Sequence, residues 1–319
     1  MFNLSGKRIL VTGATGFVGH NLVKRLVSLD HEVCGTYFTE TSRRYEGCDY
    51  IQCDLTREED CEKSTRNVDV VIMCAANSSG AEVMAKRPLT HLTPNIVMNS
   101  QMLQASYENK VEKFVFISSN TVYPMTNFPV KEHDVNYELY ESYHVVGWMK
   151  LFSEIMCDMY TSKIPEKMVT VAVRPSNLFG PFDKFDPKKS KVIAALTRRF
   201  STREDPLAVW GDGRDVKDFL YIDDFIDGLL KLVETDYVGA MNICSGQKTT
   251  IRDVISSLEV VTGTTPKLEF DESKPSMIPY RTMDGSKMLN LTGWSPSVSL
   301  IEGLRRTLNW YEENAKNGH

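Results

Sequence analysis

The chain has 319 residues, 42% hydrophobic and 25% charged. This is ordinary globular composition at a length suited to about two domains, and it excludes collagen, a coiled-coil rod and a mostly disordered chain. The formal net charge of −5, from 37 Lys+Arg against 42 Asp+Glu, leaves no electrostatic footprint for a nucleic-acid partner.

In chain order, residues 8–12 read as a strand. A helix follows, with Val18, Leu22, Leu26 and Leu29 at three- and four-residue steps. Residues 31–37 and 69–74 read as strands, 95–107 as a long helix, 113–118 as a strand, 148–160 as a helix and 168–173 as a strand. This alternation predicts an α/β fold, a doubly wound parallel sheet with helices on both faces. The second half is richer in turns, with short strands expected at 220–222 and 240–243 and a closing amphipathic helix over 300–314. No apolar run approaches the roughly 18 residues of a membrane helix, and the first residues lead straight into a strand, which predicts no signal peptide and no membrane partner. Seven scattered cysteines form no Cys-x-x-Cys pair, which predicts reduced thiols, a cytoplasmic location and no metal site.

The first strand runs into Thr12-Gly13-Ala14-Thr15-Gly16-Phe17-Val18-Gly19. A glycine triplet between a strand and a helix has a specific physics. Gly13 permits a tight turn, Gly16 lets backbone approach a pyrophosphate, and Gly19 lets helix and strand close up. The helix N-terminus then offers free N–H groups and a positive dipole end to the anion. The end of the second strand, where an acid would grip the ribose hydroxyls of NAD, carries Tyr37. Arg43 and Arg44 follow and can pair with a 2′-phosphate, so NADP(H) is favoured and NAD(H) stays open.

The Gly-x-x-Gly-x-x-Gly spacing resembles the extended short-chain dehydrogenases/reductases, the NAD-dependent epimerase/dehydratase family. The resemblance implies a Rossmann domain with a smaller, discontinuous C-terminal substrate domain. We place the first in residues 1–175 and 217–245, and the second in 176–216 and 246–319. Asp54 and Leu55 match the family's adenine contact, and Cys74-Ala75-Ala76 its small-residue turn beneath the cofactor. Residues 116–124 resemble the segment that carries the catalytic Ser, here Ser119, with Thr121 as a second substrate-facing residue. Lys150 matches the Lys of the family's Tyr-x-x-x-Lys. Four residues earlier, where the pattern has Tyr, stands Val146, which cannot transfer a proton. Tyr143, seven residues before Lys150, returns to nearly the same helical face. Tyr143, His144 and Glu141 are therefore alternative proton donors, and binding without turnover is the other reading.

Arg174-Pro175-Ser176-Asn177-Leu178-Phe179-Gly180-Pro181 resembles the signature of family members that modify sugar nucleotides, with Asn177 as a substrate contact. Residues 209–224 match a second signature, which contributes Arg214 and Lys217. Residues 274–284 match a third, which contributes Arg281. Lys217 and Arg281 would face the substrate diphosphate. Thr292-Gly293-Trp294-Ser295-Pro296 matches a terminal motif. Residues 182–193 resemble the branch that epimerises and reduces GDP-linked keto sugars, but Thr121 and Lys191 replace that branch's acid/base pair. The resemblance implies a nucleotide-diphosphate sugar substrate modified by hydride exchange, as reduction, epimerisation or dehydration. It also implies a homodimer through residues 95–107 and the catalytic helix. Leu151, Ile155, Met156 and Met159 would line that face or belong to the core.

Overall fold

The computed structural model describes residues 2–77, 89–187, 189–273 and 278–315. Its first part runs β1 (Arg8–Thr12), α1 (Phe17–Ser28), β2 (Glu32–Tyr37), β3 (Asp49–Gln52), α2 (Glu58–Thr65), β4 (Val70–Met73), α3 (Leu89–Glu108), β5 (Lys113–Ile117), α4 (His144–Ser162) and β6 (Val169–Pro175). The chain continues through β7 (Asn177–Phe179), α5 (Val192–Ser201), β8 (Leu207–Trp210), β9 (Val216–Lys217), β10 (Phe219–Tyr221) and α6 (Ile222–Val233). It ends with β11 (Gly239–Ile243), β12 (Thr249–Thr250), α7 (Ile251–Thr262), β13 (Leu268–Asp271), β14 (Tyr280–Arg281), α8 (Ser286–Thr292) and α9 (Leu300–Ala315).

Seven strands form one sheet in the order β11-β6-β5-β4-β1-β2-β3, and every pairing in it is parallel. Strand order reverses between β1 and β4, and ligands of open α/β sheets bind at the carboxyl ends of the strands beside such a switch point. Alternate residues of each strand feed two separate cores. Ile9, Val11, Val70, Ile72, Val115, Val171 and Val173 pack with α1 and α6 on one face. Leu10, Val71, Met73, Phe114, Phe116 and Ala172 pack with α2, α3 and α4 on the other. Period-2 side-chain alternation with both faces covered explains why these strands read as unbroken apolar runs.

The remaining strands make small sheets, β10 with β7, β12-β9-β14, and β13 with β8. Residues 216–221 therefore pair with strands of the second half, and the return to the main sheet is made by α6 and β11. Helix α7 opens on a capping box of Thr250 and Asp253 and closes at Gly263 in the left-handed region, both sequence-level signals. Lys113, fully buried on β5, donates to the carbonyls of Val233 (2.7 Å) and Thr235 (2.5 Å) and so ties the end of α6 to the sheet.

Two helices begin earlier than their apolar periodicity indicates. Helix α3 starts at Leu89 and carries Pro94 at its sixth residue, where the missing N–H frees the Thr90 carbonyl and Asn77 Nδ2 donates to it instead (3.0 Å). Helix α4 starts at His144 rather than 148, which changes the setting of Tyr143.

Candidate active site

The turn from β1 to α1 is closed to anything but glycine at two positions. Gly13 has φ +60°, and a Cβ built on it would lie 2.8 Å from the Ala75 Cα. A Cβ on Gly19 would lie 2.2 Å from the Gly13 carbonyl oxygen. Thr12 Oγ1 accepts the Ala75 N–H (3.0 Å), which locks the turn after β4 against the glycine turn. Gly16 is the N-cap of α1, with no side-chain cap and no acid in the first turn. The first N–H groups and the positive helix end are thus left for an anion. Thr15 is buried in this turn, Phe17 and Val18 are half-buried, Ala75 is half-buried and Ala76 exposed. The cradle fits a dinucleotide pyrophosphate.

The expected ribose and adenine contacts are only partly placed there. Arg43 turns away. Its Nη1 donates to the Phe182 carbonyl (2.9 Å), and its own carbonyl accepts from His20 Nδ1 (2.7 Å). One of the five N–H donors of its guanidinium is thereby committed to the backbone. Arg44 is exposed, with its guanidinium 4.2 Å from the Tyr37 ring centroid. Asp54 accepts the N–H (3.0 Å) and hydroxyl (2.6 Å) of Thr56, bonds that hold its carboxyl below the usual range. Leu55 is buried in the core beneath α2 and α3, so its side chain is a packing group.

Beyond β5 the chain enters a short 3-10 turn, Asn120–Val122, with Ser119 at its N-cap. The N–H (3.1 Å) and hydroxyl (2.9 Å) of Thr121 both donate to Ser119 Oγ. Lys150 Nζ donates to the Ile117 carbonyl (2.7 Å), two residues before Ser119, and sits 4.7 Å from the Phe116 ring centroid. Burial pushes its amine down to about 8 against the opposing pull of Glu154 and Cys74. Gly147 brings α4 onto this turn, because a Cβ there would lie 2.6 Å from the Thr121 carbonyl oxygen. Ser119, Thr121 and Lys150 thus gather at the carboxyl end of β5.

Tyr143 does not lie on the helix. It ends a 3-10 turn, Glu141–Tyr143, and is the N-cap residue of α4 at φ −119°, ψ 9°. A seven-residue helical return from Lys150 therefore does not apply to it. Burial raises its phenol above the ordinary range. Glu141 and His144 are exposed, and Val146 is half-buried.

A buried network under the site escaped the sequence reading. Glu154, one turn after Lys150, accepts from Arg174 Nε (3.0 and 3.2 Å) and Nη2 (2.6 Å) and from the Ser118 hydroxyl. Arg174 Nη1 donates to the Tyr123 hydroxyl (3.0 Å) and the Glu132 carbonyl (2.8 Å), and Tyr123 donates to Asn242 Oδ1 (2.6 Å). Glu154 in the Lys-x-x-x-Glu step and Arg174 in the Arg-Pro dipeptide were visible individually. Their pairing depends on α4 crossing the end of β6.

On the substrate side, Lys217 and Arg281 are direct partners across β9 and β14. Arg281 is 1% exposed, and its Nη2 donates to the carbonyls of Tyr123 (3.1 Å) and Pro124 (2.9 Å). Its Nε and Nη1 have no partner among the described residues, and burial pushes the guanidinium down to about 10. Lys217 donates to the Ile278 carbonyl and to Asp215 (3.2 Å). Asn177 Nδ2 donates to the Asp218 carbonyl (2.9 Å). Arg214 is not brought in, since its side chain is 81% exposed and pairs with Asp212. Lys191 is exposed at the N-cap of α5. Lys274 and Pro275 lie outside the described residues. Asp218, fully buried, accepts from Ser245 N and Oγ (2.9 and 2.7 Å) and Gly246 N (2.9 Å), and so clasps the loop after β11. Among the described residues no helix is long and apolar enough to cross a membrane, and no metal-ligating cluster occurs.

The profile of the NAD dependent epimerase/dehydratase family matches residues 9–244. GDP-L-fucose synthase 1 of Arabidopsis thaliana is 31% identical, covering 97% of this chain and 94% of its own. GDP-mannose 3,5-epimerase 1 of Oryza sativa subsp. indica is 28% identical, covering 96% and 82%. Among solved structures, UDP-glucuronic acid 4-epimerase from Bacillus cereus, in complex with UDP-glucuronic acid and NAD, superposes with a TM-score of 0.84. It is 27% identical and the match covers 96% of this chain and 99% of that one.

Proposed function

The chain belongs to the NAD dependent epimerase/dehydratase family, and from that premise we propose that it modifies a nucleotide-diphosphate sugar with a nicotinamide dinucleotide, NADP(H) before NAD(H). The dinucleotide, when bound, supplies or accepts the hydride. Gly13, Thr15, Gly16, Phe17, Val18 and Gly19 hold its pyrophosphate, Asp54 and Leu55 offer backbone at the adenine, and Ala75, Ala76 and Lys150 line its nicotinamide half. Arg44, rather than Arg43, is the cation left for a 2′-phosphate.

Ser119 holds the sugar oxygen. Two donors from Thr121 already converge on its Oγ, so its own O–H is left to donate outward. Thr121 is the positioning partner. Asn177, Lys217 and Arg281 take the nucleotide-diphosphate end, with Lys191 at its margin. The observation that carries this reading is Arg281. A buried guanidinium with two nitrogens unpaired among the described residues is costly, and an anion relieves that cost. Arg281 is also bonded to Tyr123 and Pro124, so the anion would be held against the segment that carries Ser119.

Two regions follow, 1–175 with 217–245 for the dinucleotide and 176–216 with 246–319 for the sugar nucleotide. The pairing of residues 216–221 with β7, β12 and β14 supports moving the second crossing to residue 222. A homodimer through α3 and α4 belongs to the same reading. Leu151 lies in the core, Ile155 and Met156 are half-buried against it, and Met159 is exposed.

Binding without turnover is the second reading, favoured by the apolar Val146. Purified protein with GDP-, UDP- and dTDP-hexoses and either cofactor separates the two. A change in absorbance at about 340 nm, where reduced nicotinamide absorbs, or a product of altered mass supports the enzyme. Cofactor binding with every sugar unchanged leaves only the binder.

A further inference from the structure

We propose that Lys150 is itself the acid and base of this site, exchanging a proton directly with the sugar oxygen that Ser119 holds. The inference rests on the enzyme reading above and goes beyond it by naming the group that moves the proton.

The geometry favours Lys150 in three ways. First, the helical turn from Val146 to Lys150 lies against the Ser119–Thr121 turn, because Gly147 permits contact with the Thr121 carbonyl. No titratable group stands at position 146 between that turn and the amine. Second, Lys150 has no carboxylate to itself. Its neighbour Glu154 is bonded through both oxygens to Arg174 and also takes the Ser118 hydroxyl. The other titratable group beside it, Cys74, has its thiol pushed up to about 12 and stays neutral. Among the described residues, Nζ is otherwise met by the Ile117 carbonyl and the Phe116 ring, and burial weakens the charged form of an amine. Third, Lys150 as a residue is half-buried and not sealed in the core. Tyr143 caps the helix seven residues before Lys150, and Thr121 donates its hydroxyl to Ser119 Oγ.

The step balances simply. When a sugar ketone is reduced, hydride from the reduced dinucleotide forms the new C–H bond, and the C=O π pair moves to oxygen. An N–H bond of the Lys150 ammonium breaks, its electron pair stays on Nζ, and the proton forms the O–H bond. The neutral amine then regains a proton from water. Oxidation runs the same step backwards, with the neutral amine taking the hydroxyl proton. Around pH 8 both forms of the amine are populated, which suits a general acid and base.

The test uses GDP- and dTDP-linked 4-keto-6-deoxyhexoses with NADPH, and the variants Lys150→Ala, Lys150→Arg and Tyr143→Phe. We expect kcat to fall about 100-fold or more in both Lys150 variants, within the usual contribution of an acid or base. Added ethylamine should restore at least about tenfold to Lys150→Ala, and Tyr143→Phe should stay close to the unmodified rate. In protein labelled with [ε-13C]lysine, the resonance missing from Lys150→Arg should titrate near 8. The assignment is overturned if Lys150→Arg keeps more than about a tenth of kcat, or if ethylamine restores nothing while Lys150→Ala still binds NADPH. It is equally overturned if Tyr143→Phe alone abolishes turnover, or if the resonance titrates at the ordinary lysine value. Unmodified protein that binds NADPH but converts neither sugar sinks the enzyme reading itself, an outcome distinct from the others.

Discussion

Arg43 and Arg44 are neighbours in sequence with opposite commitments. Arg43 reaches from the loop after β2 to the Phe182 carbonyl, and Phe182 itself adopts a left-handed φ of +67°, a conformation that a bulky residue holds only under constraint. Arg44 lies over Tyr37 at the strand end where the ribose hydroxyl would arrive. A guanidinium there is suited to a phosphate. Arg44→Ala should raise the Kd for NADPH by about tenfold, about 1.4 kcal/mol, and leave that for NADH nearly unchanged, as measured by fluorescence titration. Equal loss for both cofactors would remove the 2′-phosphate role. The two arginines also mark where sequence reading stops. The glycine turn follows from local chain geometry, whereas Ser119, Thr121 and Lys150 were read from their resemblance to family segments. Which of two adjacent arginines faces outward depends on a residue 139 positions away, and the pairing of Lys217 with Arg281 depends on strand register. Tyr143 was placed by counting back along a helix, whereas helix start is a capping event and apolar spacing reports only the interior of a helix.

At the scale of elements, apolar runs revealed the parallel strands, whereas α5, α6 and α7 passed unread even though α7 carries a full capping box. Phe200, Phe225, Leu229, Ile251 and Val254 join these helices to the main apolar core, and buried polar side chains add ties at particular points. Lys113 is the clearest case. Burial pushes its amine from the ordinary 10.5 down to about 8, while its N–H groups satisfy two carbonyls at the end of α6. Between those two values the unfolded chain holds the proton and the folded chain releases it. Stability contributed by this group therefore rises with pH from about 8 to 10.5, with a slope of at most ~1.4 kcal/mol per pH unit. Lys150 shares the direction of shift, so the informative quantity is a difference. Denaturant melts of Lys113→Met across this window should show a flatter rise than the unmodified protein. Parallel curves would mean that Lys113 keeps its charge in the fold.

At the scale of the whole molecule, helix α4 has two sides with different partners. One side meets the sheet and α3, where Asn99 donates to the Ser153 hydroxyl (2.9 Å) and Tyr107 stacks edge-on against Tyr160. The other side presents Trp148, Phe152 and Met159, exposed by 36%, 43% and 48%. Their spacing of four and seven residues keeps them on one face, and Tyr137 stacks on Trp148 at 5.9 Å to extend it. An apolar stripe of this kind on a helix that also carries Lys150 is what an isologous dimer would cover, each copy presenting the same patch to the other. Burying one such side chain is worth about 1.5–3 kcal/mol, so two charges placed in the stripe should be enough to break the contact. The variant carrying both Phe152→Glu and Met159→Glu should sediment at half the mass of the unmodified protein at equal concentration. Because both residues are exposed in the single chain, its denaturant midpoint measured at high dilution should match that of the unmodified protein. An unmodified chain that already sediments as a monomer at micromolar concentration would show that the stripe has no second copy to meet.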